Sequence, residues 1–242
     1  MHLALQMIFR RKCLNFINVR TAYASKIQAS PKKNLLANSG TTRFREHINW
    51  EWREPMSDEA LIVHCSPTLA GLKTGNLFSI PDTGEDSLKE DIRRLNRMLT
   101  PKGLSVLPMK HKDSRTLIYV YRPKQLYRDL SEGSAKGLLE ECGYPSERPG
   151  QCVVQLVKKL QETAEFPHEI GLFLGYPPED VRGFIENQAE NCKCIGYWKV
   201  YGDVEAACKK FSQYRRCTDI YRKEWRRGQS LERLACRKAA QN

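Results

Sequence analysis

The segment from Phe166 to Asn187, FPHEIGLFLGYPPEDVRGFIEN, constrains the fold more than any other stretch. Pro167 suits the first turn of a helix, where its missing N–H has no partner to lose. Ile170, Phe173 and Leu174 then fall at i, i+3 and i+4, one apolar stripe. Gly175 suits the left-handed position that stops a helix, and Pro177 cannot continue one. Pro178 opens a second helix with Glu179 and Asp180 at its positive end. Val181, Phe184 and Ile185 repeat the stripe, and Asn187 ends it. The spacing predicts two short helices joined by a tight Gly-Tyr-Pro-Pro corner.

Three functions compete for this corner. A DNA-reading helix-turn-helix has a similar length. The second helix, however, offers Glu179, Asp180 and Glu186 against Arg182 alone, which repels phosphate. His168 and Glu169, in the first helical turn, are candidates for a site. The plain alternative is packed core with a solvated acidic rim, and a single histidine at a helix start is more often structural.

The charge is uneven. The chain has 242 residues and a net charge of +12, but residues 1–45 carry nine Lys/Arg and no acid. Residues 209–242 carry eleven Lys/Arg against Asp219, Glu224 and Glu232, which leaves the middle of the chain mildly acidic. The basic character therefore belongs to the two ends. No apolar run is long enough to span a membrane. The nine cysteines are odd in number, in a chain too long and apolar to need a disulfide scaffold. They are read as reduced thiols, which points to the cytoplasm.

Residues 1–55 are read as a basic extension outside the fold, residues 56–221 as one domain, and residues 222–242 as a basic helical tail. Residues 1–45 have the composition of an organelle transit peptide, and the rival reading is an upstream extension outside the fold, with Met56 a more natural start. Ala60–His64 is a short apolar run suited to a buried strand. Ser66 and Pro67 then suit an N-cap and a first helical residue. Residues 73–85 read as loop, and Ser87–Leu99 as an amphipathic helix through Leu88, Ile92, Leu95 and Leu99. Leu104–Met109 and Thr116–Arg122 read as a hairpin in which Pro108 marks an edge or bulge. Helices follow over 123–130, 134–142 and 152–164. Cys194–Tyr201 reads as a strand, and Val204 to about Thr218 as a helix with Val204, Ala207, Cys208, Phe211 and Tyr214 inward. The order predicts an α+β or three-layer α/β domain around a small mixed sheet of about four strands.

Three blocks carry a family resemblance: His64-Cys65-Ser-Pro-Thr-Leu-Ala-Gly71, Phe166 to Pro177, and Gly196-Tyr-Trp-Lys-Val-Tyr201. With Tyr214, Cys217 and Thr218 they resemble the bacterial family called domain of unknown function 3793, typical of clostridia and other anaerobes. The resemblance runs from about Glu59 to Tyr221 and leaves the first 55 residues outside, which favours the extension reading. It carries over no activity, cofactor or catalytic residue.

Chemistry is sought first at Cys65, set between a strand end and a helix start, where the helix dipole favours a thiolate. His64 would point to the opposite face of the strand. His168, brought in by folding, is the better partner, and Cys with a distant His is a nucleophile–base pattern. Buried free cysteine is the bland alternative. Cys192-Lys-Cys194 could clasp a soft metal with Cys208 or Cys217, but C-x-C falls outside the usual zinc spacing, and no metal ligand is assigned. Tyr197 and Lys199, with Tyr201, share one face of a strand and are candidates to stack a flat cofactor, which the sequence does not identify. No phosphate-cradling glycine motif occurs.

Two functions of different class stay open. One is a thiol-dependent enzyme, or a redox or metal-handling protein, with its site where Cys65 meets His168 and Glu169. The other is a non-enzymatic adaptor or ligand-binding module whose basic C-terminal helix docks an acidic protein partner. Nucleic-acid binding is the least favoured, because a charged helix is usually a solvated face.

Overall fold

The computed structural model describes residues 56–145, 147–163 and 166–236. The basic extension over 1–55, with His47, Trp50 and Trp52, and the last six residues of the expected tail lie outside the described residues. The elements run α1 (Asp58–Leu69), β1 (Gly75–Pro81), α2 (Glu85–Leu99), a 3-10 turn (Thr100–Lys102), β2 (Ser105–Lys112) and β3 (Arg115–Tyr121). They continue with α3 (Pro123–Ser131), α4 (Gly133–Glu141), α5 (Pro149–Glu162), α6 (Ile170–Phe173) and α7 (Pro178–Glu186). A short hairpin, β4 (Cys194–Ile195) and β5 (Lys199–Val200), precedes α8 (Val204–Arg226) and α9 (Leu231–Leu234). The class is α+β.

The three-stranded sheet has the order β1-β3-β2 and is wholly antiparallel. The expected mixed sheet does not form, for two reasons. Ala60–His64, read as a strand, lies inside α1. Ser57 caps that helix by accepting from the Ala60 N–H at 3.2 Å, and Asp58 and Glu59 occupy its positive end. The helix is apolar on several sides because it lies between the sheet and α8, so no single stripe marks it. Conversely, Gly75–Pro81, read as loop, is strand β1. Its glycine is required: a Cβ at Gly75 would fall 2.5 Å from the Tyr119 ring.

Side chains alternate across β3. Ile118 and Val120, with Phe78, Ile80 and Val106, pack on Leu61, Ile62, Cys65 and Leu69 of α1, Leu95 and Leu99 of α2, and Tyr221 of α8. Leu117 and Tyr119 face the other way, toward Leu126, Leu139, Leu156, Ile170, Phe173 and Val181. Helices therefore cover both faces, and two cores result. A third, smaller core lies between the β4–β5 hairpin and α8, built from Trp198, Val200, Ala207, Phe211 and Tyr214. The register slips between Pro108 and Lys110, so β2 is both an edge strand and bulged, as Pro108 suggests. Asn96 covers that edge: its amide donates to the Val106 carbonyl at 2.8 Å and accepts from the Val106 N–H at 2.9 Å.

The corner forms as its spacing predicts. Gly175 adopts φ 72° between α6 and α7, and a Cβ there would meet Thr74 Oγ1 at 2.6 Å. Beyond Tyr221, where a basic helical tail is expected, α8 runs on to Arg226 and the chain returns to the core through buried Leu231 and Ala235. Buried Arg122 ties this end down. Its guanidinium donates to the carbonyls of Thr68 and Leu69 at 2.7 Å each, Cys236 at 2.8 Å and Lys102 at 3.2 Å. Burial lowers its pKa, and the four carbonyls supply the compensation.

Candidate functional site

Cys65 lies in the middle of α1, not at a helix start, and is fully buried at 0 % exposure. Its neighbours are the apolar residues of the core beneath α1 and α8. The dipole argument needs a terminal position, so it does not apply here. His64 stacks on Phe78 with centroids 5.2 Å apart.

His168 and Glu169 occupy the turn before α6, in the layer on the opposite face of the sheet. The His168 ring meets Phe184 edge-on at 5.0 Å. The fold thus brings His168 to Glu169 but not to Cys65. Glu169, 7 % exposed, accepts from the Tyr144 hydroxyl at 2.9 Å and from Lys159 Nζ at 3.0 Å through the same oxygen. Lys159 also donates to the Cys142 carbonyl at 2.6 Å and sits 4.2 Å from the centre of the Tyr144 ring. Burial and the Glu169 carboxylate push the Tyr144 hydroxyl far above its usual value, and burial pushes up the Cys142 thiol. The group clamps the end of α4 to α5 and α6, a buried network with its donors and acceptors paired.

Tyr197 and Lys199 do not form an open stacking platform. Tyr197 packs against Phe211 and Tyr214 at 5.7 and 5.3 Å between centroids. Lys199 Nζ donates to the Ala189 carbonyl at 2.5 Å. Asp180, singled out in the sequence only as a helix-start acid, organises this corner instead. It is 2 % exposed and accepts 2.7 Å hydrogen bonds from Trp198 Nε1, the Tyr201 N–H and the Gly202 N–H. Arg182 is spent on Glu141, with contacts of 2.9 and 2.8 Å, which leaves α7 no free cation for phosphate.

An open groove of about 730 Å³ runs between α2 and β2. Its two lysines are engaged locally, Lys89 with Glu85 at 2.7 Å and Lys110 with the Thr163 carbonyl at 3.2 Å; His111 lies 3.7 Å from Asp82, and Arg93 also lines the groove.

The outer face of α8 differs. The inner face of this 23-residue helix buries Ala207, Phe211, Tyr214, Cys217, Thr218 and Tyr221. Asp203 caps its start, accepting from the Ala206 N–H at 3.0 Å. Outward, Ser212, Arg215, Arg216, Asp219, Ile220 and Lys223 line a shallow groove of about 360 Å³. Among the described residues Arg215, Arg216 and Lys223 take part in no ion pair. Ile220 stands among them 49 % exposed. The sequence names the cations but passes over Ile220. It falls off the inner stripe beside Tyr221, and that displacement is the signal that could have found it.

The thiols at the start of α8 form a second feature. Burial first, and then the neighbouring Cys208 and Cys192 thiols, raise the pKa of Cys194. Among the described residues no group of three or more His, Cys, Asp or Glu side chains is arranged to hold a metal ion. No described helix is long and apolar enough to cross a membrane.

Neither the curated proteins nor the solved structures contain a match to this chain. One family model does match, over residues 61–235, which takes in the sheet, the corner, the hairpin and α8 through α9. The chain belongs to the family described as Protein of unknown function (DUF3793).

Proposed function

We propose that this protein is a non-enzymatic binding module of the cytoplasm, and that the outer face of α8 docks an acidic amphipathic helix of a partner protein. The observation that carries this reading is the exposed Ile220 in a groove lined by Arg215, Arg216 and Lys223, three cations against the single carboxylate of Asp219, on a helix whose inner face is buried. An apolar anchor within a basic rim is complementary to a partner helix with a leucine-type side chain flanked by carboxylates. Burying such an anchor contributes about 1.5–3 kcal/mol. Exposed charge pairs add only about 0.2–1 kcal/mol each and serve to orient the partner. The eight free cysteines among the described residues support a reducing compartment. The thiol-enzyme reading at Cys65 draws less support, because a substrate has no path to a side chain with no exposed surface.

The test is fluorescence anisotropy of a labelled peptide helix bearing glutamates and a leucine stripe, titrated with the full chain. Arg215→Glu with Arg216→Glu, and separately Ile220→Ser, should each weaken binding about tenfold or more, an effect of at least ~1.4 kcal/mol. Affinity should fall moderately as salt rises. Unchanged affinity in both variants would overturn the reading. Tighter capture of a single-stranded oligonucleotide, with a steep salt dependence, would move it to nucleic acid.

A further inference from the structure

We propose that the groove between α2 and β2 binds a small amphipathic carboxylate, a straight-chain fatty acid of medium length, with its alkyl chain along α2 and its headgroup held by Arg93 and Lys110. The apolar floor comes from a helical stripe that outruns the core. Leu88, Ile92, Leu95 and Leu99 share one face of α2, but only Leu95 and Leu99 are fully buried, at 0 % exposure. Leu88 and Ile92 are half-buried and line the groove with Pro108 and Met109 of β2. Strand β2 is the outermost of the sheet and bulges between Pro108 and Lys110, which leaves the first turns of α2 without a full sheet surface to close on. The volume of about 730 Å³ suits a small ligand, and a mostly apolar body fixed by a few polar groups is the usual arrangement in such a cleft.

Charge selects the headgroup. Both carboxylates of the groove have a basic neighbour: Glu85 pairs with Lys89 at 2.7 Å, and Asp82 lies 3.7 Å from His111. Two cations lack a countercharge. Among the described residues Arg93 takes part in no ion pair. Lys110 donates to the Thr163 carbonyl at 3.2 Å, a neutral acceptor. Arg93 stands about 12 Å along α2 from Glu85, so its charge is not cancelled by that acid. An arginine accepts a carboxylate through two parallel hydrogen bonds. Burial first, and the Lys112 charge next, hold the Lys110 ammonium below its usual value, and an anion beside it favours the charged form. Each methylene fully withdrawn from water adds up to about fourfold in affinity, so the floor rewards an alkyl chain. The groove shares no lining residue with the outer face of α8, so this ligand does not depend on the partner helix proposed there.

The experiment is isothermal titration calorimetry of the full chain with octanoate, octanol and octylamine, which share one alkyl chain and differ in the headgroup. Octanoate should bind saturably at one site, octanol more weakly, and octylamine most weakly. Arg93→Gln, an exposed position that leaves the fold intact, should weaken octanoate about fivefold or more and leave octanol unchanged. Ile92→Ser should weaken octanoate and octanol alike. Arg215→Glu with Arg216→Glu should change neither, which separates this site from the one on α8. Octylamine bound as tightly as octanoate, an Arg93→Gln affinity equal to the parent's, loss of octanoate binding in the α8 variant, or no saturable heat with octanoate would each overturn the proposal.

Discussion

Removal of the Asp180 carboxylate is the sharpest probe of how the hairpin is held. The two oxygens accept three 2.7 Å hydrogen bonds, from the Trp198 indole and the Tyr201 and Gly202 backbone. Asp180→Ala strands all three donors. A buried donor left without a partner costs about 1–3 kcal/mol. The indole lies fully inside and counts near the upper end, and the two backbone groups, nearer the surface, count near the lower. Relief of a desolvated carboxylate offsets part of the total. The expected loss is about 3–5 kcal/mol, a large share of a typical folding stability. It corresponds to a fall of roughly 10 °C in Tm for a domain of this size. Asp180→Asn keeps a carbonyl for the two backbone donors but sets an NH₂ against the indole N–H, and should lose about 1–3 kcal/mol. The assay is urea unfolding followed by far-ultraviolet circular dichroism on both variants and on Asp180→Ala combined with Trp198→Phe. The combined loss should fall short of the sum of the two single losses by about 1 kcal/mol or more, because one stranded donor is gone. Losses within ~0.5 kcal/mol of the parent, or equal losses for Ala and Asn, would refute the account.

Two further measurements test other parts of the fold. Gly175→Ala should destabilise by about 1–3 kcal/mol, since φ is 72° and the new methyl would press on Thr74, whereas Gly137→Ala in α4, with open space around it, should stabilise by about 0.5–1 kcal/mol in the same urea assay. Burial, ahead of nearby charged groups, pushes Tyr201 and Tyr214 up to about 12, while an unfolded phenol titrates near 10. The neutral phenol is the folded form, so this stability is complete below pH ~10 and is lost as pH rises toward ~12. Urea midpoints across that window should fall, and Tyr214→Phe should flatten the fall; a curve as steep as the parent's would contradict it.

Local chemistry made much of the architecture readable. The corner over 166–187 and the β2–β3 hairpin with its bulge follow from turn residues, and the amphipathic α2 and the inner face of α8 follow from apolar period, because these two helices each have one buried and one solvated side. Helix α1 escaped that logic. With partners on several sides it shows no stripe, and its apolar run imitates a strand. Strand β1 escaped it for the opposite reason, since Gly75, Asn76 and Pro81 look like loop punctuation.

The site residues divide along the same line. Sequence could name Cys65, His168, Glu169, Tyr197 and Lys199 by type, and could locate the basic end of the chain. Only the packing of helices on opposite faces of the sheet set Cys65 apart from His168, joined Glu169 to Lys159 and Tyr144, and turned Ile220 outward among arginines. It also packed Cys194 of the hairpin against the core of Val200, Ala207 and Phe211. Periodicity reports how one segment divides between core and water; which distant side chains meet is decided by how whole faces stack, and no single segment contains that information.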